Sequence, residues 1–252
     1  MKNNRTDTMT VLGHLGELRK RIFVSLIAFI VTVLFSFYYV DFLRMLLVAP
    51  ADGLSLVYFS PPEAFMANIR LALISGFFLA FPVFLYEILA FVFPGLYRHE
   101  KKFVLGVLIG ALFLFISGVL FAYYIVLQLI LHFFLNFQTG LLTPMFNITS
   151  YISFIMTILF VFGIFFQLPL VMWVLGKLNL VSSFFLRKSR KFAILIMLVA
   201  AALITPPDVI SQIMLVGPLA VLYEAGILLV ILTEKKRIKQ QKLEGIYVEE
   251  DE

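Results

Sequence analysis

The sequence has no cysteine. Disulfides, iron–sulfur clusters, thiolate nucleophiles and Cys-ligated zinc are therefore excluded together. Histidine is nearly as scarce: His14, His99 and His132 are too few and too scattered for a His-rich metal site. Charge is short as well. Only 14% of the 252 residues are charged, against about 25% in ordinary soluble domains. No P-loop, His-Glu-x-x-His or Ser/His/Asp pattern accompanies the polar residues, so the chain is not expected to be an enzyme, and no catalytic residue, metal or cofactor is expected. What is abundant is apolar: 62% of residues are hydrophobic, 29 of them Phe and 10 Tyr, and the mean hydropathy is +1.03. A soluble sphere of this size cannot hide so many apolar side chains, and a disordered chain would not keep so many aromatics solvated. The composition is that of a polytopic membrane protein. The net charge of +5 then concerns placement in a membrane, and no nucleic-acid partner is expected.

Six apolar runs follow one another: Ile22–Val40, Leu71–Phe93, Phe103–Leu131, Tyr151–Gly176, Phe192–Ile204 and Val209–Leu232. A helix needs about 20 residues to cross a hydrocarbon core of about 30 Å. Phe103–Leu131 gives about 43 Å of helix, enough to tilt or protrude, and Phe192–Ile204 only about 20 Å. The expected fold is all-α, with six transmembrane helices of which the last two are short. Residues 1–21 are expected as a cytoplasmic N-terminal segment, 22–232 as the six-span membrane domain and 233–252 as a charged cytoplasmic tail. Gln240–Glu252 reads as a disordered extension. The first run is longer than a signal-peptide h-region and no A-x-A-like site follows it, so it reads as an uncleaved anchor. Between the first two runs, Pro61-Pro62-Glu63 opens a short helix over Ala64–Ile69.

All but two of the 20 Lys and Arg residues fall before the first run, between runs two and three or four and five, or after the last. Arg44 and Arg70 are the exceptions. By the positive-inside rule both termini are expected on the cytoplasmic side.

Several polar residues interrupt this pattern. Ionisable groups inside spans are costly and usually functional. Glu87 and Glu224 either hydrogen-bond to a neighbouring helix or act as proton sites of a small-solute secondary transporter, which is the alternative function. Gln167, between Gly163 and Pro169, suits helix–helix contact. Gly106 and Gly110 form a G-x-x-x-G spacing that can seat another helix. Ahead of the first span, His14, Glu17 and Arg21 share one helical face, with Leu12, Leu15, Leu18 and Ile22 on the other. Glu100 stands among basic residues in Phe93–Lys102. It either makes an exposed intrahelical ion pair, worth about 0.5 kcal/mol at most, or joins Glu17 in receiving a cationic ligand. Periodicity does not separate these readings.

Four segments in order resemble the TatC family, the multispanning receptor subunit of the twin-arginine protein translocase. His14-Leu15-Gly16-Glu17-Leu18-Arg19-Lys20-Arg21 is similar to its N-terminal motif, and Phe91–Lys102 to its first cytoplasmic loop. Phe162–Pro169 resembles its fourth span and Thr205–Gln212 its short outer turn. The resemblance implies a multi-pass protein of the cell membrane that binds signal peptides bearing two adjacent arginines. It further implies transport of folded proteins by the proton-motive force, self-association, and single-span TatA-type partners, with room for a TatB-type one. Carried onto these positions, Glu100 is the main twin-arginine contact, Glu17 assists and Phe91 contributes an aromatic. Many family members have Glu where this chain has Gln167. Glutamine hydrogen-bonds but does not titrate, so a docking role for a partner helix survives and a proton relay does not. Pro50, Pro206, Pro207 and Asp208 are read as an outer-side motif, structural or functional.

The lack of native cysteine makes sidedness directly measurable. Single cysteines introduced at Ser60, Lys101, Thr139, Ser189 and Lys239 are expected to react with an impermeant maleimide from outside only at positions 60 and 139. Outside labelling at position 101, 189 or 239 would contradict the topology.

Overall fold

The computed structural model describes residues 11–51, 55–92, 101–136, 145–204 and 209–243. The chain runs through α1 (Val11–Tyr38), α2 (Val40–Val48), a 3-10 turn (Ala49–Ala51), β1 (Ser55–Val57) and α3 (Pro61–Val92). It continues through α4 (Lys101–Phe121), a π-helical turn (Ala122–Val126), α5 (Leu127–Asn136), β2 (Met145–Asn147), α6 (Ile148–Phe165) and α7 (Leu168–Lys177). Finally come α8 (Ser183–Lys188), α9 (Arg190–Ile204) and α10 (Val209–Leu243). The protein is an all-α polytopic membrane protein. Among the described residues, five helical stretches are long and apolar enough to cross a bilayer. The fifth apolar run is the exception, as α9 has 15 residues, about 22 Å of helix. Along α1 the residues Ile22, Phe23, Leu26, Ile27, Ile30 and Leu34 are exposed, a stripe that hydrocarbon would cover.

Helix ends depart from the apolar runs in a consistent way. Hydropathy marks where lipid contacts the chain, whereas the backbone hydrogen-bond ladder continues through polar residues. The sixth helix is therefore not short: α10 has 35 residues, carrying on past Leu232 through the charged stretch. Gln240–Leu243, expected as part of a disordered extension, belongs to it. Similarly, Pro61-Pro62-Glu63 opens no separate short helix. It forms the first turn of the 32-residue α3, where Pro lacks no needed N–H and Glu63 faces the positive end of the helix dipole. α1 passes without a break through Arg21-Ile22, and α10 through Leu232-Thr233.

The chain divides into two compact units, Met1–Leu46 with Ser60–Leu112, and Leu47–Phe59 with Phe113–Glu252. In the first, α1 packs along α3. They approach closely at Gly76, where a Cβ would lie 2.5 Å from Val33 Cγ2 and 2.7 Å from its Cα. There Thr32 Oγ1 donates to the Gly76 carbonyl at 2.8 Å, a hydrogen bond between helices in a medium that offers no water. At Gly106 of the G-x-x-x-G spacing a Cβ meets nothing within 4 Å among the described residues, so Gly106 is not such a seat within this chain's described residues.

In the second unit, β1 and β2 form a parallel two-stranded ladder with Leu56 opposite Phe146. Beside it the Tyr151 hydroxyl donates to the Leu47 carbonyl at 3.2 Å. Pro50, half-buried, lies in the 3-10 turn between Leu47 and β1. The fourth apolar run is two helices meeting at Phe166-Gln167, because Pro169 has no N–H to continue the ladder. Two residues beyond the end of α7 stands Asn179, whose φ of 62° places it in the left-handed region. Its N–H bonds to Gly176 O, and Leu180 N–H to Leu175 O, which satisfies the last carbonyls. The segment after α7 is held on α10: the Glu234 carboxylate accepts from Ser183 N at 2.8 Å, and Tyr223 Oη donates to Leu186 O at 2.9 Å.

The Gly76 seat is testable. Gly76→Val forces atoms into a backbone contact, an overpacking cost of about 1–3 kcal/mol. It should lower the thermal midpoint in detergent by several degrees, whereas Gly106→Ala should leave it unchanged or slightly raise it. Equal midpoints for Gly76→Val and wild type would refute the close contact.

Candidate functional site

The residues that the sequence singles out near the first two spans converge within the first unit. On α1, His14, Glu17 and Arg21 are three and four positions apart and share a face. On α3, Glu87 and Phe91 are four apart and do the same. The packing of α1 along α3 brings the two faces together.

Arg21 is the centre of the arrangement. Its Nε donates to Glu17 Oε1 at 3.1 Å, and its Nη2 reaches the same oxygen. Its Nη1 donates to Glu87 Oε2 at 3.0 Å. The side chains of Glu17, Arg21 and Glu87 are 20%, 21% and 13% exposed, so water screens these charges only partly. Glu17 Oε2 is buried and accepts no hydrogen bond among the described residues. One turn away, His14 and Phe91 stack with ring centroids 4.3 Å apart and planes 17° apart. The grouping thus offers a half-occupied carboxylate beside an aromatic surface. Its net charge is −1, counting two carboxylates and one guanidinium that never deprotonates. Carboxylates with a free oxygen in such surroundings accept guanidinium or ammonium donors strongly.

Of the expected site residues, Glu17 and Phe91 lie in this grouping. Glu100, Pro206, Pro207 and Asp208 lie outside the described residues. Gln167 is half-buried at the junction of α6 and α7 in the second unit. Its N–H donates to Ile164 O, and its carbonyl accepts from Val171 N. Next to it, Phe121, Phe162 and Phe166 form an aromatic cluster with centroid separations of 5.5 to 6.5 Å. Arg21 and His14 were read only as polar-face residues. The signal that could have joined Glu87 to them is its four-residue spacing from Phe91.

The two intraspan acids are both ion-paired. Glu87 holds Arg21, and Glu224 accepts from Arg190 Nη2 at 2.7 Å, with both side chains of that second pair nearly half exposed. Each therefore fits the reading as a hydrogen-bond partner of a neighbouring helix. No group of three or more acids and histidines suited to a metal occurs among the described residues.

Comparison with known proteins places this geometry in a family. The sequence model of the Sec-independent protein translocase protein (TatC) matches residues 13–218. The chain is 40% identical over 240 residues to the Sec-independent protein translocase protein TatC of Carboxydothermus hydrogenoformans, covering 94% of this chain and 97% of that one. It is 38% identical over 240 residues to the TatC of Aquifex aeolicus, covering 93% and 100%. Among solved structures, it is similar to the twin arginine translocase receptor TatC, with a TM-score of 0.82, 39% identity, and coverage of 88% of this chain and 99% of that one. With helices, motif positions and relatives in agreement over most of its length, the chain belongs to the TatC family of Sec-independent protein translocase proteins.

Proposed function

We propose that this translocase subunit is the receptor for signal peptides bearing two adjacent arginines. With single-span TatA-type subunits it transports folded proteins across the membrane, driven by the proton-motive force. The observation that carries the reading is the buried Oε2 of Glu17, unpartnered among the described residues, set beside the His14–Phe91 stack. A guanidinium presents a rigid fork of N–H donors that fits a carboxylate, whereas an ammonium is a point charge. With Oε1 of Glu17 held by Arg21, one N–H of a guest guanidinium would reach Oε2, and the preference for arginine over lysine rests on the planar guanidinium lying against Phe91 and on its fork pairing with Glu100. Glu100 supplies the second acid, and two acids for two arginines balance the charge. Phe91 gives the peptide an apolar and π surface next to them.

The membrane topology belongs to the same reading. The termini face the cytoplasm, with residues 1–21 and 233–252 flanking the membrane domain 22–232. Gln167, at a helix break beside three phenylalanines, would receive a polar group of a partner's membrane helix. Copies of the subunit associate with one another and with a TatA-type or TatB-type helix there. The transporter alternative loses its support, since Glu87 and Glu224 each face a permanently charged arginine.

The reading is tested by binding and export together. Glu17→Gln and Glu100→Gln should each weaken crosslinking of a twin-arginine peptide by about tenfold or more, about 1.4 kcal/mol per factor of ten. Each should lower export of a folded reporter in parallel. Near wild-type crosslinking in both variants would refute the assignment. Separately, a photo-crosslinker at position 167 should capture a single-span partner during transport. Capture of none at 167 or along α6, α7, α9 and α10 would remove the docking role.

A further inference from the structure

Two carboxylates and one guanidinium meet between α1 and α3, and the division of hydrogen bonds among them is uneven. Nε and Nη2 of Arg21 both go to Glu17 Oε1, while Nη1 goes to Glu87 Oε2. Were Glu17 the only partner, the pair would be neutral. An incoming arginine would then have to compete with a resident one for the same carboxylate. Glu87 removes that competition in two ways. It offsets the charge of Arg21, and it fixes the far end of the guanidinium on another helix.

We infer that Glu87 is a positioning residue for arginine recognition: it holds Arg21 so that Glu17 keeps one net negative charge and one buried oxygen, without a hydrogen bond among the described residues, for a guest guanidinium that uncovers it on binding. The inference rests on the reading of Glu17 as an arginine acceptor. It assigns Glu87 no contact with the peptide. Its effect is carried through Arg21, and it depends on Glu87 being charged. A glutamine at this place could still accept the hydrogen bond but would leave the group neutral.

The experiment titrates the full-length protein in lipid nanodiscs with a synthetic peptide that has two adjacent arginines before an apolar segment. Glu87→Gln should weaken binding by about five- to tenfold, with the deficit shrinking as salt screens the charge. Glu87→Asp, which keeps the charge, should stay within about threefold of wild type. The double variant Arg21→Gln/Glu87→Gln restores the net charge of −1 and should also return to within about threefold. Removing both members of an ion pair can itself relieve a structural defect, so positioning is separated from folding by the salt dependence of binding together with the thermal midpoint of each variant, which should stay within a few degrees of wild type. Wild-type binding by Glu87→Gln would overturn the inference, as would a loss that the double variant does not restore. If Glu87→Gln does not assemble, Glu87→Asp and the double variant decide: weak binding by either overturns the proposal. Glu17→Gln serves as the reference. If it binds like wild type, the acceptor reading itself fails. If it weakens binding while Glu87→Gln does not, only the role of Glu87 fails.

Discussion

A guanidinium held between two carboxylates at the ends of two apolar helices is the constraint on which the site depends. Arg21 cannot shed its proton, and Glu17 and Glu87 lie where water reaches them only in part. Removing one member of a fully buried ion pair costs about 3–5 kcal/mol, and less at the partial exposure seen here. The group is therefore held together by the penalty of separating it. That penalty also fixes the rotation of α1 about its axis relative to α3. With Arg21 pinned, His14 falls on Phe91, and the second oxygen of Glu17 is left pointing at no partner among the described residues.

Packing further along the same helices makes the geometry possible. Gly76 lets the α3 backbone approach Val33, and Thr32 donates across the contact. Contact at that point sets the spacing at which Arg21 and Glu87 meet about three turns of helix away. A side chain at position 76 would thus act on the cation site through the separation of the helices. In the second unit, ion pairs and hydrogen bonds do different work. Glu234, Tyr223 and Glu224 on α10 hold the segment from Ser183 to Arg190. These polar groups are used for fastening.

Much of this was legible from the residues alone. Run lengths and the absence of charge marked the apolar bands, although the break between α6 and α7 within Tyr151–Gly176 was not read from Pro169. The four motif segments pointed to the family that the comparisons establish. What was not legible is non-local or depends on the backbone. Arg21 and Glu87 are 66 positions apart, and no local period links them. Only the spacing of Glu87 and Phe91 hinted that both face the same neighbour. β1 and β2 are three residues each, too short to show alternation, and they come from distant segments. The length of α10 was underread because polar residues such as Lys235–Lys239 propagate a helix well while ending a hydrophobic band. Gly106 misled because a spacing of small residues shows where close contact is possible, whereas the partner helix decides whether it occurs.

The central claim concerns one oxygen atom of one glutamate. A structure of this protein with a bound peptide carrying adjacent arginines addresses it most directly. The account predicts a guest guanidinium nitrogen at hydrogen-bond distance, about 3 Å, from Glu17 Oε2, with Arg21 still seated on Glu87. Finding both guest arginines far from Glu17, or Arg21 displaced into solvent with Glu87 left unpaired, would contradict it.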